Sequence, residues 1–98
     1  MYEIIRSDEF LMWVENLNDK RAIARISARI DRASAGNLGD HKYLREGVSE
    51  MRIDFGPGYR IYFTRIGKTI VVMLGGGDKK KQDDDINRAV ELAKLWRQ

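Results

Sequence analysis

A small α+β domain built on a mainly antiparallel sheet is the fold class this sequence predicts, on three observations. Its 98 residues are 43% apolar and 34% charged, the size and balance of a single core. Apolar residues recur with helical spacing up to about residue 34 and then alternate from residue 48. A final stripe from Ile86 to Trp96 returns to helical spacing. The predicted order is β-α-α-β-β-β-α, one domain over residues 1–98, a twisted sheet with helices packed on one face and the other face partly polar.

Tyr2 to Arg6 is short and mostly apolar, a strand, and Ser7-Asp8-Glu9 then offers an N-cap and acids for a first helical turn. Phe10, Trp13, Val14 and Leu17 share one face of that helix, and Asn18-Asp19 interrupts it and caps the next. From Lys20 to about Ser34, Ile23, Ile26, Ile30 and Ala33 form an apolar stripe. Arg21, Arg25, Arg29 and Arg32 fall within about 80° of one another at the helical rotation per residue. That arginine face is either solvated or a docking surface for phosphates or an acidic partner segment.

Ala35 to Asp40 is rich in turn residues, and the period changes after it. Met51, Ile53 and Phe55 alternate with polar residues, as do Tyr59, Ile61 and Phe63, and Gly56-Pro57-Gly58 joins the two runs as a hairpin loop. Setting Phe55 opposite Tyr59 places Ile53 across from Ile61 and Met51 across from Phe63, so the apolar faces coincide. After a turn at Ile66-Gly67-Lys68, Thr69 to Leu74 is β-branched and apolar on both faces, which suits an interior strand. Gly75-Gly76-Gly77 ends that strand as a bend. Asp83-Asp84-Asp85 suits the start of the last helix, whose stripe is Ile86, Ala89, Val90, Ala93 and Trp96. Tyr2, Trp13 and Trp96 lie on apolar stripes and are assigned to the core rather than to base stacking.

The absence of cysteine excludes a disulfide framework, a thiolate zinc site and a cysteine nucleophile, and suits a reducing compartment. Ile70 to Leu74, the longest apolar run, is far short of the roughly 20 residues of a membrane span, and Met1-Tyr2-Glu3-Ile4 has no basic leader character. A cytoplasmic protein with no membrane partner is expected. With one histidine and neither a zinc-protease motif nor a phosphate-binding loop, no metal and no cofactor are expected. The net charge of +3 hides an acidic stretch over residues 1–19 and a basic one over residues 20–33. This suits nucleic acid, a ribosome or an acidic protein partner.

The polar face of the hairpin is the richest constellation. Glu50, Arg52, Asp54, Arg60 and Tyr62 project from one side of two paired strands. On the predicted register Asp54 opposite Arg60 forms a cross-strand ion pair, and Glu50 with Arg52 a solvated edge. The same groups can instead receive a ligand. Were that ligand RNA, two arginines and a lysine would stabilise the extra charge of a pentacoordinate phosphate, with Glu50 or a lysine moving protons. Tyr62, exposed beside Arg52 and Arg60, is placed to stack a base, and Tyr43 less so. The glycines at 75–77 let the chain turn and bring Lys79, Lys80 and Lys81 beside this face. His41 has the one side chain that ordinarily titrates near neutrality, but it sits in a connector without a visible partner and is left out of the site.

Three blocks now stand in order: Glu50-Met51-Arg52; Gly56-Pro57-Gly58-Tyr59-Arg60-Ile61-Tyr62; and Gly76-Gly77-Asp78-Lys79 with Gln82 and Asp85-Ile86. Through them the chain resembles, over nearly its whole length, the RelE/ParE toxin superfamily, and within it the phage-type, HigB-like killer proteins. The resemblance implies a RelE/ParE-like fold and the toxin of a type II toxin-antitoxin module. Such a toxin is silent when bound by its cognate antitoxin, usually a helix-turn-helix protein in this branch, through which the complex can bind operator DNA. RelE-like members cleave mRNA in the ribosomal A site by attack of a 2′-hydroxyl on the adjacent phosphate, without a metal. By position Arg60 is assigned to the transition-state phosphate, Arg52 assists it, Glu50 is the general base and Lys79 the acid or phosphate contact. Tyr62, Lys80, Lys81, Arg25 and Arg29 are assigned to RNA binding. Relatives that carry His or Tyr near Lys79 have an obvious proton donor, whereas this chain has a lysine run. ParE-like members share the fold and instead inhibit DNA gyrase by binding, and a degenerate toxin would bind only antitoxin or RNA.

Overall fold

Ser7 and Asp19 set where the first two helices begin. Ser7 Oγ accepts from Phe10 N at 3.1 Å and opens α1 (Asp8–Glu15), and Asp19 Oδ1 accepts from Arg21 N at 2.9 Å and opens α2 (Lys20–Ser34). Both caps are the residues the sequence singles out. The computed structural model describes all 98 residues. After β1 (Glu3–Arg6) and the two helices come β2 (His41–Arg45), β3 (Val48–Ile53), β4 (Tyr59–Ile66) and β5 (Ile70–Gly77). A 3₁₀ turn over Lys79–Lys81 then leads into α3 (Gln82–Trp96). The result is a small α+β domain with a five-stranded sheet in the order β1-β5-β4-β3-β2, with β1 parallel to β5 and every other pair antiparallel.

Four expectations are corrected. The strand β2 is absent from the predicted order. Its residues His41-Lys42-Tyr43-Leu44-Arg45 are mostly exposed and show no alternation, so edge pairing with β3 defines it rather than burial. Secondly, Ile53 lies opposite Tyr59 and Met51 opposite Ile61, a register two residues away from the predicted one. The chain leaves the ladder at Asp54, and Gly58 N donates to Phe55 O at 3.1 Å to close a longer loop. A shift of two keeps every side chain on its predicted face, but it removes Asp54 from the position opposite Arg60. Thirdly, Gly75 to Gly77 continue β5 as its last residues instead of ending it.

The fourth correction concerns the layers, because the helices cover both faces of the sheet. On one face Phe10 of α1 and Ile26 and Ile30 of α2 meet Met51, Ile61 and Phe63. On the other, Ala89, Val90 and Ala93 of α3 meet Val48, Tyr62 and Val72. The cause lies in β5, where Val71 and Met73 point one way, Val72 and Leu74 the other, and all four are fully buried. A strand apolar on both faces needs a layer on each side. The final stripe runs out at Ala93, so Trp96, assigned to the core, is 38% exposed. Tyr2 and Trp13 do pack against the first core, partly buried.

Candidate functional site

The face covered by α3 carries the hairpin's polar residues, and this changes their character. Glu50 follows the inward register of Val48 and is only 2% exposed. An unpaired carboxylate there would be costly, so its partners matter. Arg52 Nε donates to Glu50 Oε2 at 2.8 Å, Arg60 Nε lies 3.7 Å from the same oxygen, and Gln82 Nε2 donates to Oε1 at 3.4 Å. Arg52 and Arg60 are direct cross-strand neighbours. Like charges so placed repel, and the carboxylate between them offsets that repulsion. The hydrogen bond to Glu50 pushes the Arg52 pKa up, so that guanidinium stays charged.

The site is not saturated. Arg60 Nε is buried and has no hydrogen-bond partner, and the Arg52 side chain is 37% exposed. Two guanidiniums against one carboxylate leave a net positive charge whose free donors suit the oxygens of a phosphate. Lys79 lies across the hairpin loop, its Cε 2.9 Å from where a Cβ on Gly58 would stand. Gly58 has φ +82°, so the bare, left-handed glycine is what lets the lysine approach. Lys80 and Lys81 line a groove together with Trp13 and Gly76.

Tyr62 is not the exposed base-stacking residue the sequence suggests. It is 1% exposed, packed beneath α3 in the second core. Opposite it in β5 stands Gly75. Burial first, then the charges of Asp85 and Glu50, push its pKa far up, and its hydroxyl has no hydrogen-bond partner.

Arg25 and Arg29 sit on α2, across the sheet from Glu50. Arg29 gives its guanidinium to the carbonyls of Arg52, Leu38 and Asp40, tying α2 to β3 and to the chain ahead of β2. Burial and the nearby Arg32 lower its pKa. Arg25 lies over the Phe55 ring, 4.7 Å from its centroid. The structure therefore brings together Glu50, Arg52 and Arg60, sets Lys79 against Gly58 at the end of the hairpin loop, and keeps the α2 arginines apart. His41 belongs to β2 and faces Phe63 in the first core, ring centroids 6.2 Å apart. Sequence reasoning assigned Gln82 no contact with Glu50, and the pair is separated by 32 residues. The only signal was its place in the third motif block.

No family model matches the chain. A protein of Haemophilus influenzae, described as uncharacterized, is 46% identical over 85 residues, which span 87% of this chain and 86% of its own length. The chain belongs to the family of that Haemophilus protein. No helix is long and apolar enough to cross a membrane.

Proposed function

We propose that this protein is a RelE/ParE-type toxin of the HigB-like branch, acting in the cytoplasm as a ribosome-dependent mRNA endonuclease and held silent by a cognate antitoxin. One observation carries the reading: two arginines paired directly across β3 and β4 share a buried carboxylate while keeping unused donors. Besides separating the two arginines, the carboxylate supplies a proton acceptor next to their free donors, which binding phosphate alone does not require.

In this reading Arg60 and Arg52 hold the scissile phosphate. The 2′-oxygen forms a bond to phosphorus as the bond to the 5′-oxygen breaks, leaving a cyclic phosphate and a free 5′-hydroxyl. Arg52, the more exposed arginine, moves from Glu50 to the phosphate, and the freed Oε2 takes the 2′-hydroxyl proton. Lys79 gives a proton to the departing oxygen. The guanidiniums meet the charge that develops in the transition state.

Induced expression with pulse labelling separates this from gyrase inhibition. The nuclease reading expects methionine incorporation to stop before thymidine incorporation, and gyrase inhibition expects the reverse order.

A further inference from the structure

The edge of β5 opens into a slot that the proposed chemistry does not use. The neighbouring strand β1 ends at Arg6, level with Met73, so Gly75 to Gly77 have a strand partner on one side only. Gly76 pairs with Ile61, and it takes part in no backbone hydrogen bond outside the ladder. The two helices flank this bare edge. A Cβ on Gly76 would stand 2.4 Å from the Trp13 ring of α1, and one on Gly77 would stand 2.1 Å from Asp85 Oδ2 of α3. The two bare glycines Gly76 and Gly77 are thus what let an indole and a carboxylate approach the same strand edge.

The slot has an inner and an outer part. A cavity of about 60 Å³ is lined by Tyr62, Gly75, Gly76 and Asp85, and the buried Tyr62 hydroxyl beside it has no partner. An outer groove of about 270 Å³ shares Trp13, Gly76 and Asp85 and adds Lys80 and Lys81. The slot is closed where Arg88 of α3 bonds both carboxylate oxygens of Glu9 of α1, its Nη2 3.0 Å from Glu9 Oε1. Along the strand, Ser7 blocks it, with Ser7 Oγ donating to Leu74 O at 3.3 Å. A blind slot three residues long does not let a further peptide strand run past. It does suit a flat heterocycle entering edge first, stacked on Trp13 with lysines outside for its phosphate.

The edge that such a ring presents meets Asp85, which has no ion-pair partner. A carboxylate offers two adjacent acceptors. Guanine alone among the RNA bases presents two adjacent donors on its Watson–Crick edge, N1–H and the N2 amino group. We propose that the slot between Trp13 and Asp85 is a guanine-binding site, read by the Asp85 carboxylate, the Tyr62 hydroxyl and the free main-chain edge of Gly76. The ligand class, an RNA nucleotide, rests on the nuclease reading. Arg60 pairs directly with Gly77, which sets the slot beside the phosphate site.

The test is a fluorescence titration of Trp96→Phe protein, in which Trp13 is the sole tryptophan, with the four ribonucleoside 5′-monophosphates. Saturable quenching by guanosine monophosphate is expected at concentrations where the other three bind at least about fivefold more weakly. Asp85→Asn, which replaces one of the two adjacent acceptors with a donor, should weaken guanosine monophosphate by roughly 5- to 150-fold, and Tyr62→Phe should weaken it less. His41→Ala, on the other face of the sheet, should leave binding of the free nucleotide within about threefold. Equal binding of all four nucleotides, binding of none, or a folded Asp85→Asn protein with unchanged preference overturns the site. Quenching by an extended peptide in place of the nucleotides assigns the slot to strand addition and also overturns it. Guanine preference in a protein that cuts no RNA keeps the slot and removes the nuclease reading, and cleavage without base preference does the opposite.

Discussion

Arg52 and Arg60 face each other across β3 and β4 with the Glu50 carboxylate held between them, 2.8 Å from the first and 3.7 Å from the second. The carboxylate is the keystone of this arrangement, since it alone separates two guanidiniums that are otherwise neighbours. Glu50→Ala is expected to destabilise the fold by about 3 kcal/mol, the low end for breaking a buried pair, because Arg52 remains partly hydrated. Glu50→Gln keeps the volume and an acceptor and should cost less. Urea denaturation of the two variants gives the comparison.

Gly76→Ala drives a methyl group into the Trp13 ring, and overpacking of this kind costs about 1–3 kcal/mol. The same substitution in a Trp13→Leu background should cost less, with a coupling energy of at least about 0.5 kcal/mol. A thermal double-mutant cycle measures it. Additivity would mean that the glycine serves some need other than the approach of the indole.

Asp85 gives a pH dependence of definite sign. Burial first, then Asp78 and Asp84, hold its carboxyl above the ordinary value of 3.8. The folded chain therefore binds this proton more tightly than the unfolded chain, and the group's contribution falls as pH rises from 3.8 through the raised value. Asp85→Asn should be more stable than the parent at neutral pH, with the difference vanishing below about pH 3. Melting temperatures of both proteins across that range check the sign.

His41→Ala should leave growth arrest unchanged. Its ring lies on the first-core face of the sheet, with Nδ1 2.9 Å from Gly39 O, away from the Glu50 group. Stability should move by no more than about 0.5 kcal/mol, as for an exposed side chain. A liquid-culture growth curve after induction reads the first expectation.

The parts of the fold that the sequence made legible are those governed by local chemistry. Ser7 and Asp19 announce their helices because a side-chain oxygen within three residues satisfies the cap. The alternation of Met51, Ile53, Ile61 and Phe63 marks one sheet face correctly even though the register is off by two, since period two cannot distinguish such shifts. The edge strand β2 was illegible because main-chain pairing leaves no trace in hydropathy. Tyr62 was misplaced for a related reason: periodicity tells which face a side chain takes but not whether a distant helix covers it. At the site, Glu50, Arg52 and Arg60 share a face as read, but Gln82 reaches Glu50 only through the tertiary fold. Arg29 looked like part of a basic surface and instead serves three carbonyls.

The most direct test of the central claim is primer extension on a reporter mRNA in a reconstituted translation system, comparing the parent with Arg60→Ala and with ribosomes omitted. Loss of one preorganised charge donor is expected to lower cutting by about 10²- to 10³-fold, with the fold and antitoxin binding intact. Cuts that require both ribosomes and Arg60 are the predicted result. A folded Arg60→Ala protein that cuts as the parent does, or an active parent that arrests growth without cutting mRNA, would contradict it.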